Sequence, residues 1–177
     1  MSYIISDNKR CGVIGYGSWA TALVHTLERN KIEIWWHIRN EEILESMETE
    51  GRNAKYLSDV EFDTSLITAT SDINEVVRNC EIILIAAPSA FLAYILAELD
   101  EPLDNKFILS ATKGIIEEEY RTITEYFKNK YGLHYTNLGL ISGPSHAEEV
   151  SRDKLSYLTV ACKSEENAKL IGEMFKS

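Results

Sequence analysis

Short apolar bursts alternate along the chain with stretches whose apolar residues recur at helical spacing. Residues 10–14 predict a buried strand, and 18–29 a helix with Trp19, Leu23 and Leu27 on one face. A second strand at 32–36 leads into an acidic helix at 41–50; a weaker strand follows at 66–69, and Asp72 caps a short helix through 77. Residues 81–87 hold Ile82, Ile83, Leu84 and Ile85 without interruption, the pattern of a strand covered by helices on both faces. Beyond Pro88 come a helix at 90–99, a strand at 106–110, a helix at 120–130, strands at 138–142 and 157–161, and a final amphipathic helix at 165–176. This rhythm predicts βαβ units and an α/β fold: a doubly wound, mostly parallel sheet with helices on both faces. Residues 51–65 are too long for a neutral connector and predict a binding loop.

A length of 177 residues fits one domain. The formal charge of −10, from 18 Lys and Arg against 28 Asp and Glu, excludes nucleic acid or an anionic membrane as the main partner, since both need basic footprints. It leaves room for a small phosphorylated ligand held by local groups. Cys11, Cys80 and Cys162 are widely spaced and form no Cys-x-x-Cys pair, so they read as free thiols of a reducing compartment, with no metal site. The N-terminus is polar, and no apolar run has the length of a membrane span. The expectation is a soluble, cytoplasmic protein.

The chemistry lies between the predicted strands and helices. Gly15-Tyr16-Gly17-Ser18-Trp19-Ala20 is a G-x-G-x-x-A string between the first strand and the first helix. In that context Gly15 permits a tight turn, Gly17 lets the backbone approach a pyrophosphate, and Ala20 packs helix on strand. The helix start favours the negative charge. About twenty residues further on, where an acid would accept from the ribose 2′-hydroxyl of NAD, stand His37, Ile38 and Arg39. A missing acid and a guanidinium lean the cofactor towards NADP over NAD, unless Arg39 merely pairs with Glu41 or Glu42. Trp19 suits either cofactor contact or core packing. Two more strand ends carry small residues beside polar ones: Ala86-Ala87-Pro88-Ser89, and Ser110-Ala111-Thr112-Lys113-Gly114, where Lys113 is placed to hold a phosphate or polarise a carbonyl. Ser142-Gly143-Pro144-Ser145-His146-Ala147 closes a third.

In this order, these segments resemble the bacterial NAD(P)-dependent glycerol-3-phosphate dehydrogenases. The likeness rests on the string from Gly12 to Leu23, on Asn53-Ala54-Lys55-Tyr56-Leu57, on Ala86 to Ser89, on Ser110 to Ile115 and on Ser142 to Val150. It implies a Rossmann-like cofactor domain and reversible hydride transfer between the nicotinamide and dihydroxyacetone phosphate, giving sn-glycerol 3-phosphate for phospholipid synthesis. It further implies cofactor contacts at Gly15, Gly17, Ser18, Trp19, Tyr56, Pro88 and Ala147, with His37 and Arg39 near the adenosine. Lys113 would serve as a catalytic residue touching cofactor and substrate, with Gly143 and Ser145 on the substrate side and a homodimer as the assembly. The sequence departs from the family pattern at His37, Ile38, Ala54, Ser58, His146 and Ser156. Family members carry a second, helical domain with the Lys proton donor. The expectation is therefore that residues 1–177 are the dinucleotide-binding domain, inactive alone.

Two other functions fit parts of the pattern. One is a different two-domain dehydrogenase, acting on a hydroxyacyl or sugar-acid substrate. The other is a non-catalytic, regulatory dinucleotide-binding module.

Overall fold

The computed structural model describes residues 3–6, 10–116, 120–152, 154 and 156–176. Seven strands form one sheet in the order β3-β2-β1-β4-β5-β6-β7. They are β1 (Arg10–Ile14), β2 (Glu33–His37), β3 (Ile67–Thr70), β4 (Ile82–Ile85), β5 (Phe107–Ser110), β6 (Leu138–Ser142) and β7 (Thr159–Cys162). The first six run parallel, and β7 pairs antiparallel with β6, Ile141 opposite Val160. Between them lie α1 (Ser18–Arg29), α2 (Glu41–Glu50), α3 (Ile73–Asn79), α4 (Ser89–Ile95), α5 (Ile123–Tyr131) and α6 (Ala147–Val150), and α7 (Glu165–Met174) follows β7. Strand order reverses between β1 and β4, and such a switch point opens a crevice at the strands' carboxyl ends.

Alternation along each strand divides the core in two. Cys11, Val13, Ile82, Leu84, Phe107 and Leu109 join Leu23 and Leu27 of α1 and Ile171 of α7 on one face. Ile14, Ile83, Ile85 and Ile108 join Val77 of α3, Leu92 of α4 and Phe127 of α5 on the other. Successive strand side chains point to opposite faces, so only an unbroken apolar run serves a sheet buried on both sides. Burying one such Leu or Ile contributes roughly 1.5–3 kcal/mol.

The structure moves several expected boundaries. The helix expected at 90–99 begins at Ser89, ends at Ile95 and tightens into a 3-10 turn, Leu96–Glu98. The helix expected at 120–130 starts only at Ile123, because Tyr120 takes a positive φ of 50° and Thr122 forms a capping box with Glu125. The strand expected at 81–87 stops at Ile85; the Ala86 N–H makes a last bond to the Ile14 carbonyl at 2.9 Å before the chain passes Gly15. The last helix ends at Met174, two residues short of the expected limit. Among the described residues, no helix is long and apolar enough to cross a membrane.

Candidate functional site

A cleft of about 470 Å³ opens over the switch point. Its walls come from the ends of β1, β4, β5 and β6: Gly17, Ser18 and Trp19; Ala86 to Ala90; Ala111, Thr112 and Lys113; and Ser145, His146 and Ala147. A second cavity of about 340 Å³ adjoins it, sharing Trp19, Ala111, Thr112 and Lys113 and adding Gly143, Ser142 and Thr124. In a chain of net charge −10, the described walls of the larger cleft carry one Lys and no carboxylate.

Three helices begin on this cleft, at Gly17, Pro88 and His146, and none has a side-chain cap. Four others are capped by their own side chains: Asn40 on α2, Asp72 on α3, Thr122 on α5 and Ser164 on α7. An uncapped first turn leaves backbone N–H donors for water or a ligand. On α1, twelve residues long and without an acid in its first turn, those donors sit at the positive end of a macrodipole.

The two glycines before α1 differ. Gly15 takes φ +120°, and a Cβ there would stand 2.6 Å from the Ala86 carbonyl, so the turn needs glycine both for its conformation and for the passing chain. A Cβ on Gly17 would meet nothing within 4 Å, so its bareness serves space in the cleft and not packing. The turn is braced from behind, where the Trp36 indole N–H donates to the Gly15 carbonyl at 2.7 Å.

Trp19 combines packing with exposure. Its indole N–H donates to the Ala111 carbonyl at 3.1 Å, linking α1 to the end of β5, while its ring lines both cavities. The Lys113 Nζ lies 5.4 Å from that ring's centroid, at the join of the two cavities. Thr112 fixes the approach of Lys113, its hydroxyl donating to the Ala87 carbonyl at 2.8 Å. Ser145 is buried, and its hydroxyl donates to the Tyr157 carbonyl at 3.2 Å. Gly143 cannot be replaced without moving that chain, since a Cβ there would stand 2.0 Å from the Tyr157 oxygen.

Tyr56 lines neither cavity but is tied to the glycine turn through Asn53. The fully buried Asn53 amide donates to the Tyr16 carbonyl and the Thr21 hydroxyl, both at 2.9 Å. Its oxygen accepts from the Lys55 and Tyr56 N–H groups at 3.1 Å. Sequence reasoning passed over Asn53 and Thr112. An Asn at the head of a loop, free to bond the backbone two residues on, is the sequence signal of such an Asx turn.

His37 and Arg39 stand apart from the cleft walls, at the end of β2. His37 is buried, and desolvation lowers its pKa to about 4, so the ring is neutral near pH 7. Its Nε2 and the Arg39 Nη1 are both buried without a hydrogen-bond partner. An unpaired buried donor or acceptor costs about 1–3 kcal/mol. The Arg39 guanidinium lies over the Tyr94 ring, 4.5 Å from its centroid, while Glu42 pairs with Lys55 at 2.7 Å.

A crevice at a strand-order switch, a glycine turn with open space above it, and two uncapped helix starts without an acid in the first turn, α1 and α4, fit an elongated, multiply anionic ligand. Together the fold and the site define a dinucleotide-binding α/β domain of the Rossmann type. Residues 10–168 match the family model described as the N-terminus of NAD-dependent glycerol-3-phosphate dehydrogenase, and the chain belongs to that family. It is 33% identical over 165 residues to a glycerol-3-phosphate dehydrogenase (NAD(P)+) of Staphylococcus haemolyticus, covering 92% of this chain and 49% of the relative. The structure resembles glycerol-3-phosphate dehydrogenase from Coxiella burnetii (TM-score 0.83, 24% identity, 96% of this chain and 51% of that one). The enzyme from Plasmodium falciparum gives the same TM-score, with 21% identity over 95% of this chain and 50% of that one. At these identities the two structures speak for the fold alone. The chain spans about half the length of the curated relatives it matches.

Proposed function

We propose that this chain is the dinucleotide-binding domain of an NAD(P)-dependent glycerol-3-phosphate dehydrogenase. Its reaction is the reversible reduction of dihydroxyacetone phosphate to sn-glycerol 3-phosphate. One observation carries the reading: three uncapped helix starts meet on a cleft whose described walls hold Lys113 and no carboxylate. The nicotinamide cofactor, when bound, supplies the hydride.

The residues divide the work along the cleft. Gly15 and Gly17 keep the backbone low, and the N–H groups of Ser18 and Trp19 hold the pyrophosphate. Pro88 and Ala147 form small-residue walls, and Tyr56 approaches on the loop that Asn53 ties down. Lys113, a compact point charge at the join of the two cavities, faces cofactor on one side and the substrate's carbonyl and phosphate oxygens on the other. Gly143 and Ser145 bound the substrate side. His37 backs the adenosine end as a neutral ring, and Arg39 supplies the charge that favours NADP over NAD. Three free thiols, two of them buried, agree with a cytoplasmic setting. A homodimer is the assembly proposed for the whole protein.

The test is a titration of the purified chain with NADH and NADPH, followed by tryptophan fluorescence. Trp19 lines the cleft and Trp36 braces the glycine turn, so quenching should report binding directly. Saturable quenching by both, tighter for NADPH and with that preference lost in Arg39→Ala, is the expected result. Tighter NADH binding would overturn the role of Arg39, and no saturation in the millimolar range would overturn the cofactor reading.

A further inference from the structure

Resting on that reading, we propose that Asn53 is a positioning residue for the cofactor. It holds the carbonyls of the glycine turn away from the pyrophosphate, so that the turn presents its N–H groups to the cleft.

A glycine turn can offer an anion either end of its peptide dipoles. An N–H attracts the negative charge and a carbonyl oxygen repels it, so the peptides must be held one way round before the ligand arrives. Here every carbonyl from Ile14 to Gly17 is taken. Ile14 accepts from the Ala86 N–H at 2.9 Å, Gly15 from the Trp36 indole at 2.7 Å, and Tyr16 from the Asn53 amide at 2.9 Å. Gly17 accepts from the Thr21 N–H at 2.9 Å and from the Thr21 hydroxyl at 3.0 Å. Trp36, Asn53 and Thr21 are fully buried, so the carbonyls they hold point into the body of the domain.

Asn53 governs two of these bonds. One hydrogen of its Nδ2 goes to the Tyr16 carbonyl and the other to the Thr21 oxygen at 2.9 Å, leaving the Thr21 hydroxyl hydrogen for Gly17. Its own oxygen accepts from the Lys55 and Tyr56 N–H groups at 3.1 Å, which fixes the amide's orientation, because turned over it would set its NH2 against two more donors. The peptide joining Tyr16 to Gly17 is where this matters most. A Cβ on Gly17 would meet nothing within 4 Å, so sterics do little to stop that peptide from turning its carbonyl into the cleft. The bond from Asn53 closes that alternative. The charged neighbours of Asn53 in sequence have partners of their own, Arg52 in Glu50 and Glu61 and Lys55 in Glu42.

The experiment measures dissociation constants of NAD+ by tryptophan quenching for the wild-type chain, Asn53→Asp, Asn53→Ala, Thr21→Val and Thr21→Ser, each folded, at pH 8 and pH 5.5. An ionised carboxylate has nearly the shape of the amide but no donor, so Asn53→Asp should bind roughly tenfold more weakly than the wild type at pH 8. Burial beside the Tyr16 carbonyl raises the pKa of the introduced carboxyl, and its protonated form regains one donor. Its deficit relative to the wild type should therefore shrink roughly threefold or more at pH 5.5, whereas that of Asn53→Ala, with nothing to protonate, should be the same at both. Thr21→Val should weaken NAD+ roughly threefold, and Thr21→Ser, which keeps the hydroxyl, should bind as the wild type does. A role in folding alone would lower the melting temperature without a binding deficit that follows protonation. The proposal is overturned if the Asn53 variants bind as the wild type does, or if the Asn53→Asp deficit is the same at both pH values. Should neither Asn53 variant fold, equal binding by Thr21→Val and Thr21→Ser overturns it. In each of these cases the wild type still binds and the cofactor cleft stands; if the folded wild-type chain binds no dinucleotide, both readings fall.

Discussion

Helices α3 and α4 are both seven residues long, pack against the same core, and follow parallel strands of the one sheet, yet they start differently. At the start of α3, the Asp72 carboxylate accepts from the Asn74 N–H at 2.8 Å, and Glu75 stands in the first turn. At the start of α4 there is only Pro88, with no side-chain cap and no acid. All these helices begin at the carboxyl ends of parallel strands, so that shared position does not decide the matter. At the strand-order switch itself, between β1 and β4, both starts are open. The helices after β1 and β4, on either side of the switch, are open, as is α6 after β6; those after β2, β3 and β5 are closed by Asn40, Asp72 and Thr122. Capping a helix is worth about 1 kcal/mol, and the chain forgoes it where donors face the cleft.

Closing an open start is the strongest way to break this contrast. Gly17→Asp puts a good N-cap on α1 and a carboxylate where the pyrophosphate is proposed to lie, with nothing within 4 Å of the new Cβ. NADH affinity should fall about a hundredfold, on the order of 3 kcal/mol, while the melting temperature holds or rises. Equal loss of stability and binding would mean that the glycine serves folding.

Acid probes the end of β2, between the open and the closed starts. Burial lowers the His37 pKa to about 4, so the unfolded chain, with an ordinary value near 6.5, takes up the proton first. Stability is therefore whole above about pH 6.5 and falls as pH drops towards 4, by roughly 3 kcal/mol if His37 alone is counted. Denaturant midpoints measured across that window should show the loss, and His37→Gln should flatten it.

Removing the one Lys on the described cleft walls sharpens the contrast further. Lys113→Ala should weaken NADH about tenfold, near 1.4 kcal/mol, with little change in melting, because the side chain is exposed. The smallest effect is at a closed start. Asp72→Ala should cost about 1 kcal/mol, a shift of roughly 2–4 °C, and leave NADH affinity unchanged.

The two-faced sheet was legible because the run Ile82 to Ile85 has no polar residue to turn outward, and α2 was legible to the residue because Asn40 starts it and Gly51, at φ +64°, ends it. The direction of β7 was not, since a strand of four residues carries no mark of which way its neighbour runs. Helix α6, also four residues long, is too short for a 3.6-residue period to register. At the site, the glycine turn and Lys113 were readable from spacing beside predicted strands. The bond from Trp19 to the Ala111 carbonyl joins residues 92 apart, and the Arg39 contact with Tyr94 crosses from one strand end to another helix; neither leaves a local pattern. What spacing along the chain records is the turn itself, and what it omits is which distant group the turn has been brought to meet.

The central claim is that the open helix starts form the cofactor-binding surface, whereas the closed start of α5 borders only the adjoining cavity and those of α2, α3 and α7 line neither. An amide-resolved NMR titration of the folded chain with NADH tests it directly. The account expects saturable shifts at the N–H groups of Ser18, Trp19, Ser89, Ala90 and Ala147, with those of Ile43, Asn74 and Asn167 unmoved. Shifts at the capped starts as large as those at the open ones, or none at either, would contradict it.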